Sequence, residues 1–334
     1  MKKSSKHYSL IIALLLLAIV TGYMVGRKDI PGDIDDYYLE APEEAEEMTF
    51  DEVIPLADAP AAPGSLMPMA SGEVVYKGAS GSAEVTMDAS NAADGYVMIK
   101  YQGPQAKLKV IIAGPSSVKY TYNLGSDGSF VTYPLSDGNG QYSVGVYKNV
   151  SGTKYSLLFS QKIDVELKDE FAPFLRPNQY VNYTEDSQVV EKAAELTEGT
   201  SDELEKLEKI YTYVVTNFSY DYEKAKTVQS GYLPVVDEIL ATKKGICFDY
   251  AAVMTAMLRS RGIPTKLVVG YAGDVYHAWI SSYTEEYGWI NGVIYFDGKV
   301  WKLMDPTFAS TGKSSAAIMK YISNEKNYQA RYLY

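Results

Sequence analysis

The chain has 334 residues, 46% hydrophobic and 22% charged, which is long enough for two domains with real hydrophobic cores. Its formal net charge of −11 argues against a nucleic-acid partner. A single cysteine excludes an internal disulfide, and with only two histidines there is little from which to build a metal site, so no metal or cofactor is expected.

Lys2, Lys3 and Lys6 precede an uncharged run from Tyr8 to Gly26, "YSLIIALLLLAIVTGYMVG". At about 1.5 Å per residue such a helix is just long enough to cross roughly 30 Å of hydrocarbon. The run reads as an uncleaved membrane anchor, with a cleaved signal peptide as the alternative. Either places the remainder outside the cytoplasm, and the leading lysines favour a cytoplasmic N-terminus. These residues, 1–28, form the first segment. Residues 29–73 are first acidic, then rich in Pro, Ala and Gly. That composition buries too little apolar surface to offset the entropy of ordering, so a disordered linker is expected.

Residues 74–168 change pattern to short alternating runs. "AEVTMDA", "GYVMIKYQ", "KLKVIIAG", "VKYTYNL", "GSFVTYPL", "GQYSVGVYK" and "KYSLLFSQKIDVEL" read as strands, separated by turn signals such as "SNAADG" and "SDGNG". The spacing predicts an all-β sandwich of immunoglobulin-like type. Its many tyrosines fit half-buried strand positions better than a sugar-stacking surface.

Residues 169–334 form the last segment. It opens with the Pro- and aromatic-rich connector "DEFAPFLRPNQYVNY". Thr200 and Glu203 have capping-box spacing, and Leu204, Leu207, Tyr211 and Val214 recur as one buried helical stripe. Lys209 follows Glu205 by one turn on the solvated face. A second helix is predicted from about Phe248 to Arg261, stopped by Gly262 and Pro264. Strands follow in "TKLVVGYA", "VYHAWISSY", "WINGVIYF" and "KVWKLMD", with Asp297-Gly298 as a two-residue hairpin signal. The segment is therefore α+β, helices first and an antiparallel sheet after.

Cys247 falls where the second helix begins, after Gly245. There it meets unpaired N–H groups and the positive end of the helix dipole, which favour thiolate over thiol; the same N–H groups suit a developing oxyanion. His277 lies on a strand, sharing a face with Trp279 while Ala278 takes the other. A neutral imidazole beside a thiol takes its proton. Asp305 ends the last strand before Pro306, and a carboxylate there orients the other imidazole nitrogen. The strands of His277 and Asp305 are expected in one small sheet. Each residue alone has an ordinary structural reading: a buried small side chain, a packed strand histidine, a turn aspartate. A metal is a poor rival, because the three come from scattered elements with no second Cys or His beside them.

The segments "GICFDYAAVMTAMLRSRGIPTKLVVGY", "YHAWI" and "WKLMDPTF" resemble, in order, the three motifs of the transglutaminase-like superfamily, over about Asn178 to Phe308. The segment "TNFSYDYE" resembles the stretch before the catalytic helix in bacterial members. The resemblance implies a papain-like α+β core with Cys247 as nucleophile, His277 as base and Asp305 as orienting carboxylate. The predicted sandwich resembles, more distantly, β-domains of Gram-positive surface proteins. For a second oxyanion donor, Gln229, Tyr220 and Tyr232 stand as candidates.

The expected protein is thus an extracytoplasmic, membrane-tethered or secreted thiol enzyme. It forms a Cys247 thioester with peptide or protein amides, followed by hydrolysis or transamidation. The alternative is a catalytically idle surface scaffold that binds cell-wall material or a partner protein.

Overall fold

The computed structural model describes residues 67–272, 275–291, 293–296, 301–304 and 328–334. The expected membrane helix, Tyr8–Gly26, most of the linker, the Asp297-Gly298 turn and Asp305 lie outside the described residues. No described helix is long and apolar enough to cross a membrane.

The N-terminal part consists of two four-stranded antiparallel sheets. One has the order β1-β2-β3-β6, from β1 (Val75–Ser80), β2 (Ala83–Asp88), β3 (Tyr96–Gln102) and β6 (Val131–Pro134). The other has the order β5-β4-β7-β8, from β4 (Leu108–Ala113), β5 (Lys119–Leu124), β7 (Gly140–Ser151) and β8 (Lys154–Val165). Strand alternation sets the core: Leu108, Val110 and Ile112 are buried while Lys109, Ile111 and Ala113 are half-exposed. The expected strands are all present. β1 was not legible, because "VYKGAS" ends in weak strand formers; it forms by pairing along β2, Val75 opposite Asp88. The ordered unit also begins earlier than expected. Asn91 donates to Met69 O at 2.8 Å, Gly72 N–H to Asp88 at 2.7 Å and Glu73 N–H to Ser90 at 2.9 Å, which pins backbone assigned to the linker.

Tyrosines are core residues here. Tyr101, Tyr133 and Tyr142 are buried, each hydroxyl donating to a nearby carbonyl: Pro104 at 3.0 Å, Asn123 at 2.9 Å and Gly138 at 2.8 Å. A buried tyrosine gains its apolar area and satisfies its polar tip this way.

The second part is helices followed by sheet. Its helices are α1 (Gln188–Leu196), α2 (Glu203–Asn217), α3 (Tyr222–Thr227), α4 (Val236–Thr242) and α5 (Cys247–Ser260). α2 starts at Asp202 rather than in a Thr200 capping box: the Asp202 carboxylate accepts the Glu205 N–H at 2.7 Å. Asp caps as well as Thr and stands directly before the first helical residue. The buried stripe is Leu207, Ile210, Tyr211 and Val214, and Lys209 pairs with Glu205 at 2.8 Å. α1, α3 and α4 were not anticipated; each is shorter than the window of about 11 residues over which an apolar period is read.

α5 is apolar nearly all round, every residue from Asp249 to Arg259 being buried. Such a helix belongs at the centre of a domain, and α1, α2 and α4 pack on it together with β11 (Thr265–Ala272) and β12 (Val275–Thr284). Gly262, at φ +77°, ends it as expected. At its C-terminal end Arg259 is fully buried and donates to the carbonyls of Thr265 at 2.8 Å, Arg176 at 2.6 Å and Tyr334 at 2.6 Å. The helix is thereby tied to the connector and to the last strand.

The main sheet has the order β13-β12-β11-β16, with β13 (Gly288–Asn291) and β16 (Tyr328–Leu333) at its edges. β14 (Val293–Phe296) and β15 (Trp301–Met304) make a separate two-stranded sheet. This corrects the expectation that the strands of His277 and Asp305 share a sheet. The run "WINGVIYF" carries the turn-forming Asn291-Gly292 in its middle and divides there into two strands. β14 pairs antiparallel with β15, Phe296 opposite Trp301, and the residues between them lie outside the described residues.

The two parts share one hydrophobic cluster. Tyr334 meets Tyr120 and Tyr122 edge-on, ring centroids 5.7 and 5.8 Å apart, and Tyr180 at 4.4 Å. Ser136 donates to Leu333 O at 2.6 Å. Phe171 and Phe174 of the connector pack against Tyr283 and Trp289.

Candidate active site

The site begins with how α5 starts. β9 (Ser219–Tyr220) runs parallel to β10 (Lys244–Gly245), and the Asp221 N–H donates to Gly245 O at 2.8 Å. The chain leaves β10 through Ile246, in extended conformation, and Cys247 is the first helical residue. Ile246 offers no side-chain acceptor. The helix N–H groups of Cys247 and Phe248 therefore have neither an intrahelical partner nor a capping side chain. That is the arrangement expected for a thiol whose anion, and whose substrate's oxyanion, are to be stabilised by the backbone. Cys247 is half-buried.

The first turn is held from the side by Asp249. Its carboxylate is fully buried and accepts three hydrogen bonds: from Lys224 Nζ at 2.6 Å, Tyr232 Oη at 2.7 Å and the Ile246 N–H at 2.9 Å. Lys224 Nζ also donates to Tyr232 Oη at 2.6 Å. Burial, and then the hydrogen bond to Asp249, push the Tyr232 phenol well above its ordinary range. Asp221 caps α3, and the Lys224 N–H, ahead of Lys244 at 3.3 Å, holds its carboxyl below the usual value. Among the three oxyanion-donor candidates, Tyr232 has its hydroxyl committed to Asp249. Gln229 donates to Thr227 O at 2.9 Å on the surface. Tyr220 lies beside Gly245 in the β9–β10 pair, its ring 5.0 Å from Tyr222.

His277 sits on β12, opposite Gly270 of β11, and is 5% exposed. Alternation holds as expected: His277 stacks with Trp279, centroids 6.3 Å apart, while Ala278 and Ile280 enter the cluster built on α5. β12 packs directly on α5. Tyr276, one residue before His277 and partly exposed, is pushed up chiefly by burial, with Cys247 among the charges it feels. The structure thus brings the elements of Cys247 and His277 together. Asp305 is the residue directly after β15 and is outside the described residues. Phe248 adds an aromatic rim with Tyr180 at 5.7 Å and Tyr232 at 6.4 Å. Among the described residues no group of three His, Cys, Asp or Glu side chains is placed to hold a metal ion.

Lys224, Tyr232 and Asp249 act together in a way sequence reasoning missed. The available signal was Asp249 itself, a carboxylate in the otherwise apolar run "CFDYAAVM". A charge at that position needs a buried partner.

A model of the transglutaminase-like superfamily matches residues 190–292. Protein YebA of Bacillus subtilis is 30% identical over 118 residues, 29% of this chain and 16% of its own length. A protein-glutamine gamma-glutamyltransferase of Pseudomonas aeruginosa is 31% identical over 88 residues, 22% of this chain and 13% of its own length. The chain therefore spans less than a fifth of either curated relative. The periplasmic domain of TgpA from Pseudomonas aeruginosa overlays with a TM-score of 0.32 at 17% identity, covering 72% of this chain and 77% of that one.

Proposed function

Because residues 190–292 form a domain of the transglutaminase-like superfamily, we propose that this protein is a thiol enzyme acting on peptide or protein amides. The observation that carries the proposal is the placement of Cys247 as the first residue of a buried helix with no side-chain cap, packed on the strand of His277. His277 takes the thiol proton, and the thiolate adds to the carboxamide carbon. The N–H groups of Cys247 and Phe248 receive the oxyanion. Collapse breaks the C–N bond, with His277 returning the proton to the departing ammonia or amine. Water or an amine, deprotonated by His277, then attacks the thioester and frees the thiol. Asp305 holds the imidazole in the required tautomer.

The location proposed is outside the cytoplasm, tethered through Tyr8–Gly26. The β unit is read as an immunoglobulin-like sandwich, a reading supported by three chain crossings between its sheets: β3 to β4, β5 to β6 and β6 to β7.

The test is to incubate the protein with a glutamine-bearing peptide, with and without a primary amine. Ammonia release, amine incorporation and the mass of the species on Cys247 are followed together. A thioester adduct absent from Cys247→Ala is expected, and the product identifies water or amine as the acceptor. No adduct, with a thiol that resists alkylation in the folded protein, would leave the protein as a binding scaffold.

A further inference from the structure

We propose that Lys224, Tyr232 and Asp249 form a charge-compensated clamp that positions Cys247, joining the first turn of α5 to α3 and to the 228–235 loop. The proposal rests on the reading of Cys247 as nucleophile. Three observations carry it. Asp249 is wholly buried two residues after Cys247, and its carboxylate is saturated by Lys224, Tyr232 and the Ile246 N–H. A buried carboxylate persists in the charged form only with such compensation. Gly245 lets Asp249 pack directly on the backbone before Cys247, since a Cβ there would lie 2.5 Å from the Asp249 Cβ. The loop that brings Tyr232 is also held from the β unit, where Asn123 Nδ2 donates to Gly231 O at 3.3 Å. Asp249 has a lysine and a tyrosine that also bond each other, so the charge beside the thiol is cancelled as well as buried.

The charges around the head of α5 come from several neighbouring elements. α3 contributes Lys224, with Glu223 and Lys226 paired to each other at 3.0 Å. Asp221 and Lys244 pair at 3.3 Å beside β10. α4 contributes Asp237, which accepts the Val189 N–H, and Glu238, whose charge Tyr232 feels. β12 contributes His277 and Tyr276, and Arg331 of β16 acts on Tyr276. In this set Lys224 and Asp249 are the pair on which the first turn of α5 rests, so removing either charge alone shifts the balance at the thiol. Without Lys224 an uncompensated carboxylate disfavours the thiolate, and the pH at which Cys247 ionises rises. Without the Asp249 charge an uncompensated ammonium favours the thiolate, and that pH falls.

Cys247 is the only cysteine in the chain, so alkylation by iodoacetamide reads one thiol. Labelling rate against pH is to be measured on folded wild type, Lys224→Met, Lys224→Arg, Asp249→Asn and the Lys224→Met/Asp249→Asn pair. The midpoint should rise by about one pH unit in Lys224→Met and fall in Asp249→Asn. It should return toward wild type in the double variant and in Lys224→Arg. A merely structural role would move both single variants the same way or leave both midpoints in place, and either result overturns the clamp. Should Asp249→Asn fail to fold, equal midpoints for Lys224→Met and Lys224→Arg would overturn it alone. Wild-type labelling no faster than that of the denatured chain at any pH would sink the nucleophile reading instead, and the opposed midpoints would still report the clamp.

Discussion

Gly245 and Asp249 are in contact so close that a side chain on the first would collide with the second: a Cβ at Gly245 would stand 2.5 Å from the Asp249 Cβ and 2.8 Å from its Oδ2. The obstruction is no flexible tip, because three hydrogen bonds fix that carboxylate. Gly245→Ala should cost about 1–3 kcal/mol of stability, the usual cost of overpacking a filled site. It should also change the labelling rate of Cys247, since the first turn of α5 must shift to admit the methyl group. Urea unfolding and alkylation measured on the same sample check both, and wild-type values in both would refute the account.

Two buried tyrosines, one from each sheet of the β unit, separate packing from hydrogen bonding. Tyr122 and Tyr133 lie with ring centroids 5.2 Å apart. The Tyr133 hydroxyl donates to Asn123 O at 2.9 Å, whereas the Tyr122 hydroxyl is buried without a partner among the described residues. Removing an unpaired buried hydroxyl relieves a desolvation cost, while removing a paired one forfeits a bond worth about 1 kcal/mol and strands its acceptor. Tyr133→Phe should therefore be destabilising by about 1 kcal/mol and Tyr122→Phe neutral or stabilising. Equal losses in the denaturation midpoints of the two variants would contradict this.

Much of the fold was legible from period and punctuation. "KLKVIIAG" alternates and becomes β4, and Gly262 stops α5 where its positive φ requires a glycine. The start of α5 at Cys247 was readable because Gly245 breaks the pattern just before a continuous apolar run. What failed depended on distant partners. β16 carries no strong strand signal and is a strand because β11 has a free edge for it. The division of "WINGVIYF" hinged on one dipeptide weighed against a long β-prone run. For the site, sequence named residues by chemical type and place in the chain, which brings out a lone cysteine and a lone histidine. It could not show Lys224 reaching Asp249 across 25 positions, because that pair exists only once α3 is laid beside α5.

The buried tyrosines also set an alkaline limit. Burial holds Tyr122, Tyr133 and Tyr334 well above their ordinary value of 10, and Tyr183 is pushed up to about 12. The unfolded chain releases these protons near pH 10 and the folded protein keeps them. Their contribution is thus complete below pH 10 and lost as pH rises beyond it. Tyr183 alone accounts for on the order of 2–3 kcal/mol by pH 12. Arg259, Lys109 and Lys266, lowered by burial, act in the opposite sense but are fewer than the raised tyrosines. The tyrosinate absorbance of the buried rings should appear in one cooperative step together with loss of circular dichroism above pH 10. Gradual ionisation of the whole tyrosine set with structure retained would contradict it.

The residues proposed as catalytic would divide their work unequally, and the variants should rank accordingly. Cys247→Ala should abolish turnover, since the chain has no other thiol. His277→Ala should come close to it, because the only other histidine, His7, precedes the apolar run proposed to cross the membrane. Asp305→Ala should be milder yet large. It removes the group assigned to fix the imidazole tautomer, and removal of the aspartate from a serine triad costs roughly 3 × 10⁴ in turnover. Asp305→Asn should retain more activity than Asp305→Ala, because an amide carbonyl still accepts the imidazole N–H. Melting measured beside turnover separates chemistry from folding. Cys247 is half-buried at a helix start, so its truncation should leave the melting temperature nearly unchanged. His277 is 5% exposed and stacked on Trp279, so His277→Ala should lower it, and His277→Gln, which keeps more of the packing, should restore stability without restoring activity. Recovery of turnover in His277→Gln along with stability would make His277 a packing residue, and full activity in Cys247→Ala would end the thiol mechanism.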